Sequence, residues 1–169
     1  MLRNTRIRPD VALLSSSPRR HVWARWASRR HSNKSELPAG LKIYEGEPIT
    51  DRGSIFIGRA CTITTSEQVP LVLAHIRSQK AVQKATHPAI HAWRCMSDSE
   101  GATQAGHDDD GEATAGRKLS QLLSSLELKN CLVVVTRNYG GVPLGPDRFR
   151  HIRRSAISAL RISGILPST

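Results

Sequence analysis

DDDGEATAGRKLSQLLSSLELKNCLVVVTRNYGGVPLGPDRFR, residues 108–150, is the stretch whose reading decides the fold. Three aspartates and Glu112 surround Gly111 in an acidic turn. Leu119, Leu122, Leu123 and Leu126 then recur at helical spacing and predict an amphipathic helix over 113–126. Asp109, Asp110 and Glu112 would lie at its positive end, where the macrodipole favours carboxylates. A turn at Lys129 and Asn130 leads to the apolar run Leu132-Val133-Val134-Val135, which predicts a strand over 131–136. A glycine-rich loop over 137–146 follows and opens into a basic helix over 147–162. Pro146 suits the start of that helix because its missing N–H would have no partner there. Strand, glycine loop and cationic helix in that order build a surface suited to negative charge, without naming a reaction.

Outward from this block the elements become shorter. SIFIGRACTIT, residues 54–64, is β-rich and predicts a first strand, with Gly58 marking a bulge or a close backbone approach. Ser66 offers an N-cap for a helix over about 67–83, with Val69, Val72, Leu73 and Ile76 on one face and Pro70 in the first turn. A further strand is expected over 90–96. SDSEGATQAGH, residues 97–107, is small and polar and reads as a mobile loop. Residues 35–53 are rich in Gly, Pro and acids and read as a linker and lead-in. The order β-α-β-α-β-α predicts an α+β domain of two layers, with helices covering one side of a sheet. The division is a leader over 1–34, a linker over 35–50 and a domain over 51–165.

The net charge of +11 is unevenly placed. Residues 1–34 hold 9 of the 25 Lys/Arg and a single acid, Asp10, so the remainder is only mildly basic. High pI alone is therefore a weak argument for nucleic-acid binding. The leader is Arg-rich, Ser-rich and acid-poor, the composition of a mitochondrial transit peptide. A solvated basic arm on a cytoplasmic protein is the alternative. Cys61, Cys95 and Cys131 are odd in number and form no CxxC pair, so they read as buried free thiols in a reducing compartment. No apolar run approaches the ~18 residues of a membrane span.

The glycine loop lacks the chemistry of a nucleotide cradle. Gly140 and Gly145 have P-loop spacing, but Pro146 and Asp147 stand where Lys and Ser/Thr are needed. What remains is close backbone approach at Gly140, Gly141 and Gly145 and a helix N-terminus. Arg137 and Arg148 flank the loop, and Arg150, Arg153 and Arg154 share one face of the helix beyond it. With Tyr139 as a stacking group these nine residues form the candidate partner or nucleic-acid surface; a solvated helix face is the plain alternative. DDDGE lacks EF-hand spacing, and helix capping competes with a metal or general-base role for it. His87 and His91 are four apart but separated by Pro88, and two ligands do not make a zinc site. No nucleophile, acid–base pair, cofactor motif or metal site emerges, so no catalytic residue, cofactor or metal is assigned.

Four segments together resemble the Impact/YigZ family, specifically its Impact N-terminal domain: DRGSIFIGRA at 51–60, THPAIHAWR at 86–94, DDDGEATAGRKL at 108–119 and VVVTRNYGGVPLGPDRFRHI at 133–152. The resemblance covers about 51–162. It implies a β-α-β domain like the second domain of small-subunit ribosomal protein five. It also implies a regulator of translation under amino-acid starvation, one that competes with the kinase of the initiation factor two alpha subunit for its ribosome-associated activator. The bacterial relatives resemble nucleic-acid-binding proteins. Full-length eukaryotic members carry an additional RWD domain where this chain has its Arg-rich leader, so the expected activator-binding surface is incomplete. Asn138 stands where the family often has an aromatic, and LGPDRF replaces the frequent LGTGGL.

Three functions follow. The first is a non-enzymatic regulator bound to a protein of the translation-control machinery or ribosome. The second is a mitochondrial RNA-binding domain, and the third a hydrolase or phosphotransferase using Asp109, Asp110 or Glu112. No membrane partner is expected.

Overall fold

Every residue from Cys131 to Arg137 is buried, because this strand lies in the middle of a sheet with helices on both faces. The computed structural model describes residues 37–96 and 102–167. In chain order the elements are β1 (Ile43–Glu45), β2 (Ile49–Asp51), β3 (Ser54–Thr62), α1 (Gln68–Ser78), α2 (Lys80–Gln83), β4 (His87–Met96), β5 (Thr103–Asp108), α3 (Ala115–Ser125), β6 (Cys131–Asn138) and α4 (Asp147–Ile162). The sheet order is β1-β3-β6-β4-β5, with β2 also paired to β3, and every pairing is antiparallel.

Period-two alternation divides the core. Phe56 and Ala60 of β3, Ile90 and Ala92 of β4, and Cys131, Val133 and Val135 of β6 face α3 and α4. Leu119, Leu122 and Leu123 meet them from α3, and Ile152, Ala156, Ala159 and Leu160 from α4. The intervening residues Cys61, Leu132 and Val134 face Val69, Val72, Leu73 and Ile76 of α1. The domain is α+β, as its element order predicts. Helices α3 and α4 share one face of the sheet, but α1 covers the other, so helices lie on both sides rather than one. The physical cause is the unbroken apolar run of β6, which presents a hydrophobic surface in both directions.

Several boundaries differ from the sequence reading, and β4, expected over 90–96, already starts at His87. The lead-in expected as a linker contributes β1 and β2, both hydrogen-bonded to β3. Within the stretch read as a mobile loop, Thr103–Asp108 forms β5 on β4; residues 97–101 and the leader fall outside the described residues. The helix expected over 67–83 breaks at Gln79, whose ψ of 129 is extended. Its start is held by Gln68, whose Oε1 accepts from the Thr64 N–H at 2.7 Å, and not by Ser66. Gly58 proves to be a close approach and not a bulge: the β3–β6 register runs unbroken past it, and a Cβ there would collide with the Ser155 carbonyl of α4.

Candidate functional site

The turn between β5 and α3 folds its carboxylates in three directions. Asp109 accepts from the backbone N–H of Thr114 at 2.8 Å and of Gly116 at 2.7 Å, capping α3. Burial opposes the charge on Asp109, but the N–H groups of Thr114, Gly116 and Arg117 outweigh it and hold the carboxyl below its usual range. Asp110 accepts from the Ala89 N–H at 2.6 Å and from Arg77 at 2.9 Å, joining the turn to β4 and α1. Left-handed backbone at Asp110 (φ 46) and Gly111 (φ 83) then reverses the chain and sends Glu112 inward.

Glu112 is 6% exposed and lies between three basic side chains. Arg137, at the end of β6, donates to its Oε2. Arg148, in the first turn of α4, donates Nε–H to its Oε1 at 2.7 Å. His87, at the start of β4, places Nε2 3.4 Å from Oε2 while its Nδ1 donates to the Asp110 carbonyl at 3.0 Å. The Arg137 guanidinium also lies over the Phe56 and Tyr139 rings. One carboxylate thus fastens β4, β6 and α4 to the turn before α3.

A second group of ion pairs secures the other side of the glycine loop. Arg52 and Gly53 form a two-residue β2–β3 turn with positive φ at both positions. Gly140 packs against Gly53 so closely that neither backbone leaves room for a Cβ on Gly140. Arg52 bridges Asp51 and Asp147 at 3.2 and 2.8 Å. His151 donates Nε2–H to Asp51 at 2.8 Å and lies against Phe56. Hydrogen bonds from Arg52 and then His151 hold the Asp51 carboxyl below the usual carboxylate range.

These contacts redistribute the nine residues singled out from sequence. Arg137 is 5% exposed and Arg148 is tied to Glu112, so neither guanidinium is presented outward as a free cation. The physical reason is that a buried carboxylate needs compensating charge. The N–H groups of Tyr139 and Gly140 donate to the hydroxyls of Thr86 and Ser54 at 3.0 and 3.1 Å, leaving the loop a poorer anion cradle than its glycines suggest. Gly141 and Gly145 adopt positive φ with open space around them. The outward-facing members are Tyr139, Arg150, Arg153 and Arg154. Arg150 pairs with Asp147 at 3.0 Å on the surface.

Asp51, Arg52, His87 and His151 were not singled out for this site by spacing. Their signal lay in the family-like segments, all of which converge here. His87 and His91 do not come together: His91 is buried with Nδ1 donating to the Ala89 carbonyl. Among the described residues no group of three or more His, Cys, Asp or Glu side chains is arranged to hold a metal ion, and no helix is long and apolar enough to cross a membrane.

The Impact N-terminal domain family model matches residues 52–160. The chain belongs to that family. Protein IMPACT homolog of Saccharomyces cerevisiae is 40% identical over 118 residues, covering 70% of this chain and 45% of the relative. Protein IMPACT of Mus musculus is 42% identical over 125 residues, covering 74% and 38%. The chain therefore spans less than half the length of each of these Impact relatives. The structure of the two-domain translational regulator Yih1 superposes with a TM-score of 0.53 at 35% identity, over 77% of this chain and 50% of that one. A crystal structure of a hypothetical protein shares the fold, with a TM-score of 0.55 at 24% identity over 71% and 61%.

Proposed function

We propose that this Impact domain is a non-enzymatic binding module of translational control. In the finer reading it restrains the starvation-activated initiation-factor kinase by occupying the kinase's ribosome-associated activator. The observation that carries the non-enzymatic reading is the use of the conspicuous carboxylates. Asp109, Asp110 and Glu112 each engage internal donors, and Glu112 braces the glycine loop through Arg137 and Arg148. That loop presents an outer surface, the Tyr139 and Val142 tip beside the cationic face of α4. Identity to Yih1, itself described as a translational regulator, supports the setting. The test is a pull-down with the full chain as bait. Ribosome-associated protein should be recovered, and Tyr139→Ala with Val142→Asp should reduce recovery; failure to recover any such protein would overturn the reading.

RNA binding is the second reading, favoured by Arg153 and Arg154, which are exposed with no ion pair among the described residues. It requires affinity that falls steeply with salt and drops in Arg153→Ala with Arg154→Ala. The Arg-rich leader supports mitochondrial residence. Imaging of the tagged full chain separates the two readings, since import would remove the domain from a cytoplasmic kinase pathway.

A further inference from the structure

We infer that the groove between α3 and α4 receives a short acidic protein segment carrying apolar side chains. This rests on the binding-module reading and names the chemistry of the partner.

The groove encloses about 480 Å³. That is room for a few side chains. Its floor includes Leu122 and Ile152, which belong to the core below. Its walls carry Lys118 from α3 and Arg150 and Arg153 from α4, and no acidic residue lines it. Arg150 has a surface pair with Asp147, half-solvated and thus weakly held. Arg153 is exposed and has no ion pair among the described residues. Three cations over an apolar floor complement a segment with carboxylates on its edges and Leu-like or aromatic side chains at its centre.

Phe149 argues for a peptide over a nucleic acid. It is the single aromatic of the groove, and a base would need its face for stacking. That ring already carries the Lys118 ammonium at 4.7 Å and the Arg148 guanidinium at 4.2 Å. Lys118 is thereby positioned along the groove wall, where a carboxylate meets it without displacing the ring.

The experiment uses the full chain and a fluorescein-labelled amphipathic peptide about twelve residues long, three helical turns, with Glu on one face and Leu on the other. Anisotropy should report saturable binding that weakens at least about tenfold in Lys118→Glu with Arg153→Glu. The matched pair Lys80→Glu with Lys84→Glu makes the same charge change outside the groove and should leave affinity within about twofold. Gln121→Trp, which fills the groove without touching charge, should also weaken binding, and thermal melts confirm that each variant is folded. Equal loss in both charge-reversed pairs, no effect of Gln121→Trp, or displacement of the peptide by single-stranded RNA of equal charge at lower concentration would each overturn the inference. The peptide titration contains no ribosomal protein. Peptide binding at the groove with an empty pull-down would therefore sink the translational reading and leave the groove assignment standing.

Discussion

Arg137 and Glu112 form a buried ion pair that joins the end of the central strand to the turn before α3. Both side chains are almost wholly withdrawn from water. The pair explains why a glycine-rich loop holds one shape: β6, which enters it, and α4, which leaves it, are gripped by the same carboxylate.

Removing that carboxylate's charge should be costly. Glu112→Gln leaves the Arg137 guanidinium buried and uncompensated, and urea denaturation should show a loss of about 3–5 kcal/mol. Glu112→Leu combined with Arg137→Met should lose less than Glu112→Gln alone, because the deeply buried guanidinium goes with its partner and Arg148, which is partly exposed, can turn to solvent. An equal or larger loss in the double variant would mean that packing, not charge compensation, sets the cost.

Asp109 makes stability depend on acid. Its folded-state pKa lies below the unfolded value, so its contribution is present above the unfolded pKa and disappears as pH falls through the folded one. Melting temperature should therefore fall as pH drops below about 4. Asp51, lowered in the same direction by Arg52 and His151, adds to the slope. Asp109→Asn should flatten it, and Asp109→Ala should cost about 1 kcal/mol at neutral pH through loss of the cap.

Gly58→Ala tests the seating of α4 on β3. A methyl group there meets the Ser155 carbonyl, a backbone atom that cannot rotate away. The helix must lift, at about 1–3 kcal/mol, read as a lower denaturation midpoint with an unchanged fold by circular dichroism. A neutral result would mean that α4 floats on the sheet instead of interlocking with it.

The three thiols should be silent in the native protein. Burial raises all of them, and the Cys131 thiol is pushed up to about 11. With thiolate scarce and access closed, a chromogenic disulfide reagent at neutral pH should label none of the three quickly, and all of them after denaturation. Prompt labelling of the folded chain would contradict the burial of this core.

Much of the architecture was legible in local sequence. The leucines at 119, 122 and 123 marked α3, the valine run marked β6, and Pro146 marked the start of α4, because helical and strand periodicities are imposed by the backbone within a few residues. The short strands β1, β2 and β5 carried no comparable signal. They are stabilised by hydrogen bonds to β3 and β4, which are partners and not neighbours in the chain.

The amino-acid order alone thus determined the α+β class, the long elements and the family, each written in local pattern. Tertiary structure alone decided which arginines are spent. Arg137 and Arg153 read alike as cations near a glycine loop, yet one is locked beneath Glu112 and the other faces solvent. Charge is a property of a residue, but its availability depends on what lies across the fold. A carboxylate 25 positions away in the chain removed Arg137 from the surface.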